Sequence, residues 1–300
     1  MKSFYANALG PEHRTAQLAG MFHYPVKSCA GLALDAATLN SWGLDWDREW
    51  MIVDARGGFV SQRHNPKLAL IKAKLTSNAL ILSHSNLDDI AVPFERATQV
   101  ALNVTVWRDM LDAIDAGDAV ADWITAAIGK PARLVRFPES GRRNSDETWT
   151  GSDAYPVHFG DGWALHVVFA STHAHLQSEI GEPLDLRRFR PNLVFDGLPA
   201  FSEDHVYGIR NGGHILRFCK PCYRCITTTT DQDRGERASD AGLNWLKRHR
   251  MDKVSGGPTF GQNVVVVKTG PEPLRVGSLW DIVQGDSGTP PAANKEARHG

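Results

Sequence analysis

From Ala19 to about Val106 the apolar positions fall in short runs separated by turn-forming residues, which is the pattern of strands. The runs predict extended segments over Met21–Val26, Ala33–Leu39, Glu49–Val53, Leu68–Leu75 and Ala79–Ser83. "DARGG" between two of them predicts a tight turn. The spacing then changes. Over Asp118–Ile128, Val120, Ile124 and Ile128 share one helical face with Trp123 beside it.

The stretch "RFPESGRRNSDETWTGSD" (136–153) is polar and carries Gly and Ser, so it predicts a domain boundary or flexible excursion. Beyond it the pattern resumes with a strand over Leu165–Ala170, a helix near Thr172–Ile180 and a strand over Asn192–Phe195. Cys225–Thr230 is β-branched and predicts an extended segment. Ala238–His249 predicts a helix with a basic end, and "FGQNVVVVKTGPEPLRVGSLWDIV" predicts two strands around a Gly/Pro turn. The ends, residues 1–17 and 285–300, predict loose tails. The expected fold is mainly β with some α, in two packed β-barrel-like domains over residues 18–135 and 136–284.

Composition narrows the function classes. The 300 residues suffice for two domains, with 42% hydrophobic and 22% charged residues. A formal net charge of −1 gives no global field for nucleic acid or anionic lipid. No apolar run approaches the roughly 20 residues that span a bilayer, and the first residues lack an apolar signal core. Four cysteines do not make a disulfide scaffold, so a reducing cytoplasm is the expected location, with no nucleic-acid or membrane partner.

Three of those cysteines sit in "FCKPCYRC", with Lys220 and Arg224 beside them. A structural zinc site needs four ligands, here Cys219, Cys222 and Cys225 with His214. An iron–sulfur cluster needs four thiolates, which would recruit Cys29. A Cys222–Cys225 redox pair and three buried thiols are further readings. The neighbouring cations favour a thiolate, and a lone thiolate on a basic surface suits one soft metal atom carried by an anionic cofactor. Four other polar stretches interrupt apolar surroundings: "YPVKSC" with Lys27 and Ser28, "DREW" with Arg48, "HFGDGWAL" with Asp161 and Gly162, and "FRPNLV" with Arg190 and Asn192.

"YPVKSC", "DREW", "FRPNLV", "KPCYRCITTTTDQD" and "PTFGQN" occur in this order in MOSC-domain proteins with an N-terminal MOSC β-barrel, and from Ala19 to Gln284 the chain resembles the mitochondrial amidoxime-reducing component and its bacterial relatives. The resemblance implies a molybdenum cofactor of the molybdopterin type, with Cys225 as the metal ligand and Cys222 not a ligand. It implies that Lys27, Ser28 and Arg48 serve the pterin phosphate, that Gly162, Arg190 and Asn192 also contact the cofactor, and that Asp161 lies near the metal. It implies reduction of N-hydroxylated compounds such as amidoximes and hydroxylamines. It also carries an association with pyridoxal phosphate binding. A sulfurtransferase working through Cys225 and a non-catalytic cofactor carrier are the competing functions. The chain departs from the pattern at "TTTTDQDRGE" and at the three histidines of "ALHVVFASTHAHL", where Thr172 is a further candidate. No ferredoxin-type cysteine run or G-x-G-x-x-G turn is present, so electrons are expected from a separate flavin or iron–sulfur reductase.

Overall fold

The structure, a computed structural model, describes residues 15–95, 100–151, 153–254 and 256–284. The expected tails therefore lie outside the described residues, except Thr15–Gln17. These three begin the first strand, Thr15–His23, and pair with Leu279–Asp281.

That strand belongs to a closed barrel built mostly from the second half of the chain. Going round the barrel, the strands are Leu165–Phe169, Leu193–Asp196, Thr15–His23, Leu279–Gln284, Val206–Asn211, His214–Tyr223 and Gly257–Lys268, and the last pairs back onto the first. All neighbours are antiparallel except Leu165–Phe169 with Leu193–Asp196, which run parallel. Closure leaves no free edge. The interior is filled by Leu18, Leu165, Val167, Phe169, Phe195, Leu216 and Trp280 among others.

The first half of the chain forms two smaller sheets. One holds Trp50–Val53, Arg133–Arg136, Asp109–Asp115 and Ala101–Val106, and the other is the meander Lys72–Leu75, Ala79–His84, Leu87–Pro93. Helix α1 (Asp118–Ile128) covers this unit with Val120, Ile124 and Ile128 buried, the face its spacing predicts. Helices α2 (Glu147–Thr150), α3 (Ala170–Ile180) and α4 (Ala241–His249) belong to the second half. No helix among the described residues is long and apolar enough to cross a membrane.

Several sequence expectations change. Pro66 opens a 3-10 turn over Pro66–Leu70, so the strand expected from Leu68 begins at Lys72. The segment expected over Ala33–Leu39 breaks into two-residue pieces. Cys225–Thr230 is not extended: Ile226–Thr229 is a 3-10 turn. The hydroxyls of Thr228 and Thr229 donate to the carbonyls of Cys225 (2.9 Å) and Ile226 (2.8 Å). Such back-bonding offers the backbone an alternative to a strand ladder and overrides β-branching here. The polar stretch 136–153 contains α2 and the buried Arg143, whose guanidinium donates to the His158 and Gly160 carbonyls.

Candidate active site

The barrel wall and the first-half unit enclose a cleft of about 600 Å³. It brings together residues far apart in sequence: Lys27, Ser28 and Arg48 from the first half, Asp161, Arg190 and Asn192 from the second, and Cys222 to Cys225 from the end of one barrel strand. Gly162 does not line it. Its φ of +104° instead lets the chain turn after Asp161. Of the six non-glycine residues with positive φ among the described residues, Ser28, Arg48, Trp107 and Arg190 all line the cleft. Such conformations persist only where the surroundings enforce them, and they gather at functional sites.

Cys225 caps the 3-10 turn, so its side chain is not committed to a strand face. Its sulfur lies 3.4 Å from Thr227 Oγ1, and Arg63 Nε donates to it at 3.2 Å. Burial pushes the thiol pKa up, but the Thr227 hydroxyl and N–H, together with Arg63, outweigh it and lower the value. The other three cysteines go the opposite way. Burial raises the Cys29 thiol to about 12. Cys219 packs against Tyr155 and Val265 and is also raised. Cys222 is raised by burial despite Arg224, which donates to its sulfur at 3.0 Å. His214 is occupied by the Glu272 carbonyl and the Gly270 N–H. Among the described residues no three His, Cys, Asp or Glu side chains gather as a metal-binding group, so the zinc and cluster readings lack their ligand sets. Of the four cysteines, Cys225 is the one whose thiol pKa its surroundings lower.

Arg63 and Trp107 are the residues sequence reasoning missed. The Arg63 guanidinium stacks on the Trp107 ring at 4.4 Å from its centroid. Arg237 fixes the Arg63 segment by donating to the Gln62 and Arg63 carbonyls and to the Ile226 carbonyl in the Cys225 turn. Trp107 is at the tip of the hairpin joining Ala101–Val106 to Asp109–Asp115, and its indole N–H donates to Asp161 Oδ1 at 3.1 Å. The alternating runs "ALNVTV" and "DMLDAID" around "WR" were the signal for that hairpin.

Asp161 Oδ1 also accepts from the Lys27 ammonium, which donates to the Phe159 carbonyl at 2.8 Å as well. Desolvation within the cleft pushes the Asp161 carboxyl up, but Lys27, Trp107 and Arg63 hold it well below the usual carboxylate range. Burial lowers the Lys27 pKa, against the pull of Asp161. The Asp161 side chain as a whole is 66% exposed, so this carboxylate is ionised, anchored at one oxygen and open to water.

Arg48 donates to Asn192 Oδ1 (2.9 Å) and pairs with Asp47. Arg190 donates to the Cys29 carbonyl at 2.6 Å. Both guanidiniums stack on Tyr24, at 4.4 and 4.1 Å. The Asn192 amide is fully engaged: its oxygen also accepts from the His166 N–H, and its nitrogen donates to the Phe22 carbonyl and to Asp47. It positions Arg48 rather than presenting a free edge to the cleft. Thr172 is engaged away from the cleft, donating to Glu203 and accepting from the Phe201 N–H. His166, buried in the cleft wall, is held neutral by burial and by Arg224, with its pKa lowered to about 3. Two guanidinium nitrogens, Arg190 Nη2 and Arg224 Nε, are buried with no hydrogen-bond partner. A buried donor left unmatched costs about 1–3 kcal/mol, and an acceptor brought by a bound ligand or water removes that cost.

Comparison with known proteins adds to this geometry. Residues 15–131 match the MOSC N-terminal beta barrel domain and residues 154–287 match the MOSC domain. The chain is 30% identical over 276 residues to mitochondrial amidoxime reducing component 2 of Bos taurus, covering 87% of this chain and 82% of that protein. It is 29% identical over 270 residues to mitochondrial amidoxime-reducing component 1 of Homo sapiens, covering 84% and 79% respectively. It is 32% identical over 247 residues to molybdenum cofactor sulfurase of Drosophila erecta, covering 78% of this chain and 30% of that protein.

Proposed function

This chain belongs to the family of MOSC-domain proteins with an N-terminal MOSC β-barrel, and from that premise we propose that it is a molybdenum-cofactor-dependent reductase of N-hydroxylated compounds such as amidoximes and hydroxylamines. The observation that carries the reading is the lowered thiol pKa of Cys225 beside a wall of cations with orphaned donors. A molybdopterin-type cofactor needs both features: a soft thiolate for the metal and charge-assisted donors for its phosphate. Cys225 would hold the metal. Arg190 and Arg224, with Arg48 and Ser28, would hold the anionic part. When bound, the cofactor supplies two-electron chemistry at the metal.

The reaction R–NH–OH + 2 e⁻ + 2 H⁺ → R–NH₂ + H₂O breaks the N–O bond and consumes two protons. Asp161 accepts the hydrogen bond of the substrate N–O–H and orients it. Its carboxyl is too acidic to store a proton at neutral pH, so protons reach the site from water at its exposed side. Lys27 and Trp107 hold the carboxylate in place. The electrons come from a separate flavin or iron–sulfur protein.

A second reading uses the same thiolate as a persulfide carrier, and the similarity to a molybdenum cofactor sulfurase favours it. Metal analysis of protein produced in a cofactor-competent host separates the two. The reductase reading expects molybdenum and pterin near one per chain, and turnover of benzamidoxime with reduced methyl viologen. Protein that lacks molybdenum and releases cyanide-labile sulfur from Cys225 would establish the carrier instead.

A further inference from the structure

The polar stretch 136–153 carries a cation that does not line the cleft. Arg143 lies outside both segments that match the family domains, and its side chain is only 3% exposed. Its backbone runs beside the segment leading to Asp161. The Arg143 carbonyl accepts from the Val157 N–H at 2.9 Å, and the Ser145 N–H donates to the Tyr155 carbonyl at 2.8 Å. The guanidinium reaches two places at once. Its Nε donates to Asp109 Oδ2 at 2.8 Å, while Nη1 donates to the His158 carbonyl and, at 3.1 Å, to the Gly160 carbonyl. Lys27 takes the Phe159 carbonyl between them. Three successive carbonyls just ahead of Asp161 are thus held by two buried cations, whose charge strengthens each contact.

The Asp109 end of this contact bears on Trp107. Asp109 pairs with Val106, so Trp107 and Arg108 form a two-residue hairpin turn between them. Trp107 sits there at φ +58°. Turns of this length favour residues that take positive φ easily, such as Asn and Gly. A bulky residue at such an angle persists only where its surroundings hold it. Three contacts do so: the Arg63 guanidinium over the ring, Phe59 with its centroid 5.0 Å away, and Asp161 Oδ1, which accepts from the indole N–H at 3.1 Å. The contacts close a loop. It runs from Asp161 to Trp107, along the hairpin to Asp109, across to Arg143, and through the Gly160 carbonyl back to Asp161. Arg143 thereby ties together the two backbone segments that carry the indole and the carboxylate.

We propose that Arg143 is a positioning residue that clasps the Trp107 hairpin to the turn before Asp161, so that the indole and the Lys27 ammonium anchor one carboxylate oxygen and leave the other to orient the substrate N–O–H. That the carboxylate acts on such a substrate rests on the reductase reading; the clasp itself does not. A small displacement of an orienting group is enough to slow a reaction. Loosening the clasp therefore lowers kcat while Cys225 and the cations of the cleft still hold the cofactor.

The test uses the full chain with 15N-labelled tryptophan indoles, and turnover of benzamidoxime with saturating reduced methyl viologen. Truncating the buried Arg143 itself can unfold the chain, so the clasp is opened from its half-exposed end with Asp109→Ala. The Trp107 indole N–H is the resonance absent from Trp107→Phe. Its exchange with water at pH 7 is expected to be at least fivefold faster in Asp109→Ala than in the wild type. The same variant is expected to lower kcat about three- to tenfold, with molybdenum content within twofold of wild type. Added to Trp107→Phe, which removes the indole donor, Asp109→Ala is expected to change kcat by less than twofold, because substitutions that act through one contact do not add. Unchanged indole exchange overturns the proposal. So does faster exchange with unchanged kcat in an active enzyme, or losses that multiply in the double variant. A wild type inactive with the dye would sink the reductase reading alone, and the indole exchange rate would then still decide whether the clasp exists.

Discussion

The Nε of Arg63 donates to the Sγ of Cys225 at 3.2 Å, and the two residues come from opposite halves of the chain. With Thr227, this contact lowers the Cys225 thiol pKa against the burial that would raise it. The sign gives a prediction in metal-free protein. Thiolate, the reactive form, persists to lower pH in the wild type than in Arg63→Ala. Alkylation of Cys225 by iodoacetamide at pH 7 is expected to slow by about three- to tenfold in the variant, and the midpoint of rate against pH to move upward. Identical rate–pH curves would mean that Arg63 only packs against Trp107.

Asp161 is expected to matter to turnover rather than to cofactor loading. Asp161→Asn keeps the side-chain shape but leaves the buried Lys27 ammonium without its anion. Molybdenum content should stay within twofold of wild type while N-reduction falls by about a hundredfold. Because the Asp161 pKa is depressed, its stabilising contribution is fully present above the ordinary carboxylate value near 4 and is lost as pH falls through the lower folded-state value. The part of the Tm difference that comes from ionised Asp161 should therefore be lost only in strong acid, below the ordinary carboxylate range. A difference that vanished between pH 5 and 7 would contradict the depressed pKa.

Asn192 and Arg190 line one cleft but should fail differently. Asn192→Ala removes four hydrogen bonds among buried groups and is expected to cost about 2–4 kcal/mol, with or without cofactor. Arg190→Ala removes a cation with an orphaned nitrogen and is expected to leave Tm within a few degrees while pterin content drops. Thermal melts and pterin content of the two variants check this. Matching losses of both quantities would erase the distinction between a positioning amide and a ligand-binding cation.

Where local pattern and packing agreed, the fold was legible in the sequence. Asp118–Ile128 shows this: Gly129 ends the helix, and the spacing of Val120, Ile124 and Ile128 matches the buried face. The Cys225–Thr230 segment was not legible, because its threonines bond to their own backbone instead of joining a strand. The role of the first strand was hidden for another reason: closing a barrel with Leu279–Gln284 is a pairing across the whole chain that no local window contains. At the site, the cations and Cys225 stood out as polar residues in apolar surroundings. Arg63 did not, since nothing in "SQRHNPK" signals that Arg237 will hold it over a thiolate. Asn192 lines the cleft, but its saturated hydrogen bonds emerge only from three-dimensional neighbours.

The most direct test is the molybdenum content, by mass spectrometry, of wild type and of the Cys219→Ser, Cys222→Ser and Cys225→Ser variants purified from one cofactor-competent host. Cys225 alone has a lowered thiol pKa, and a neutral hydroxyl is a poor replacement for a soft thiolate. The expected result is molybdenum near one per chain in the wild type and the first two variants, and a loss of tenfold or more in Cys225→Ser. Retention in Cys225→Ser, or loss in Cys222→Ser with Cys225→Ser unaffected, would contradict the assignment of Cys225 as the metal-binding thiolate.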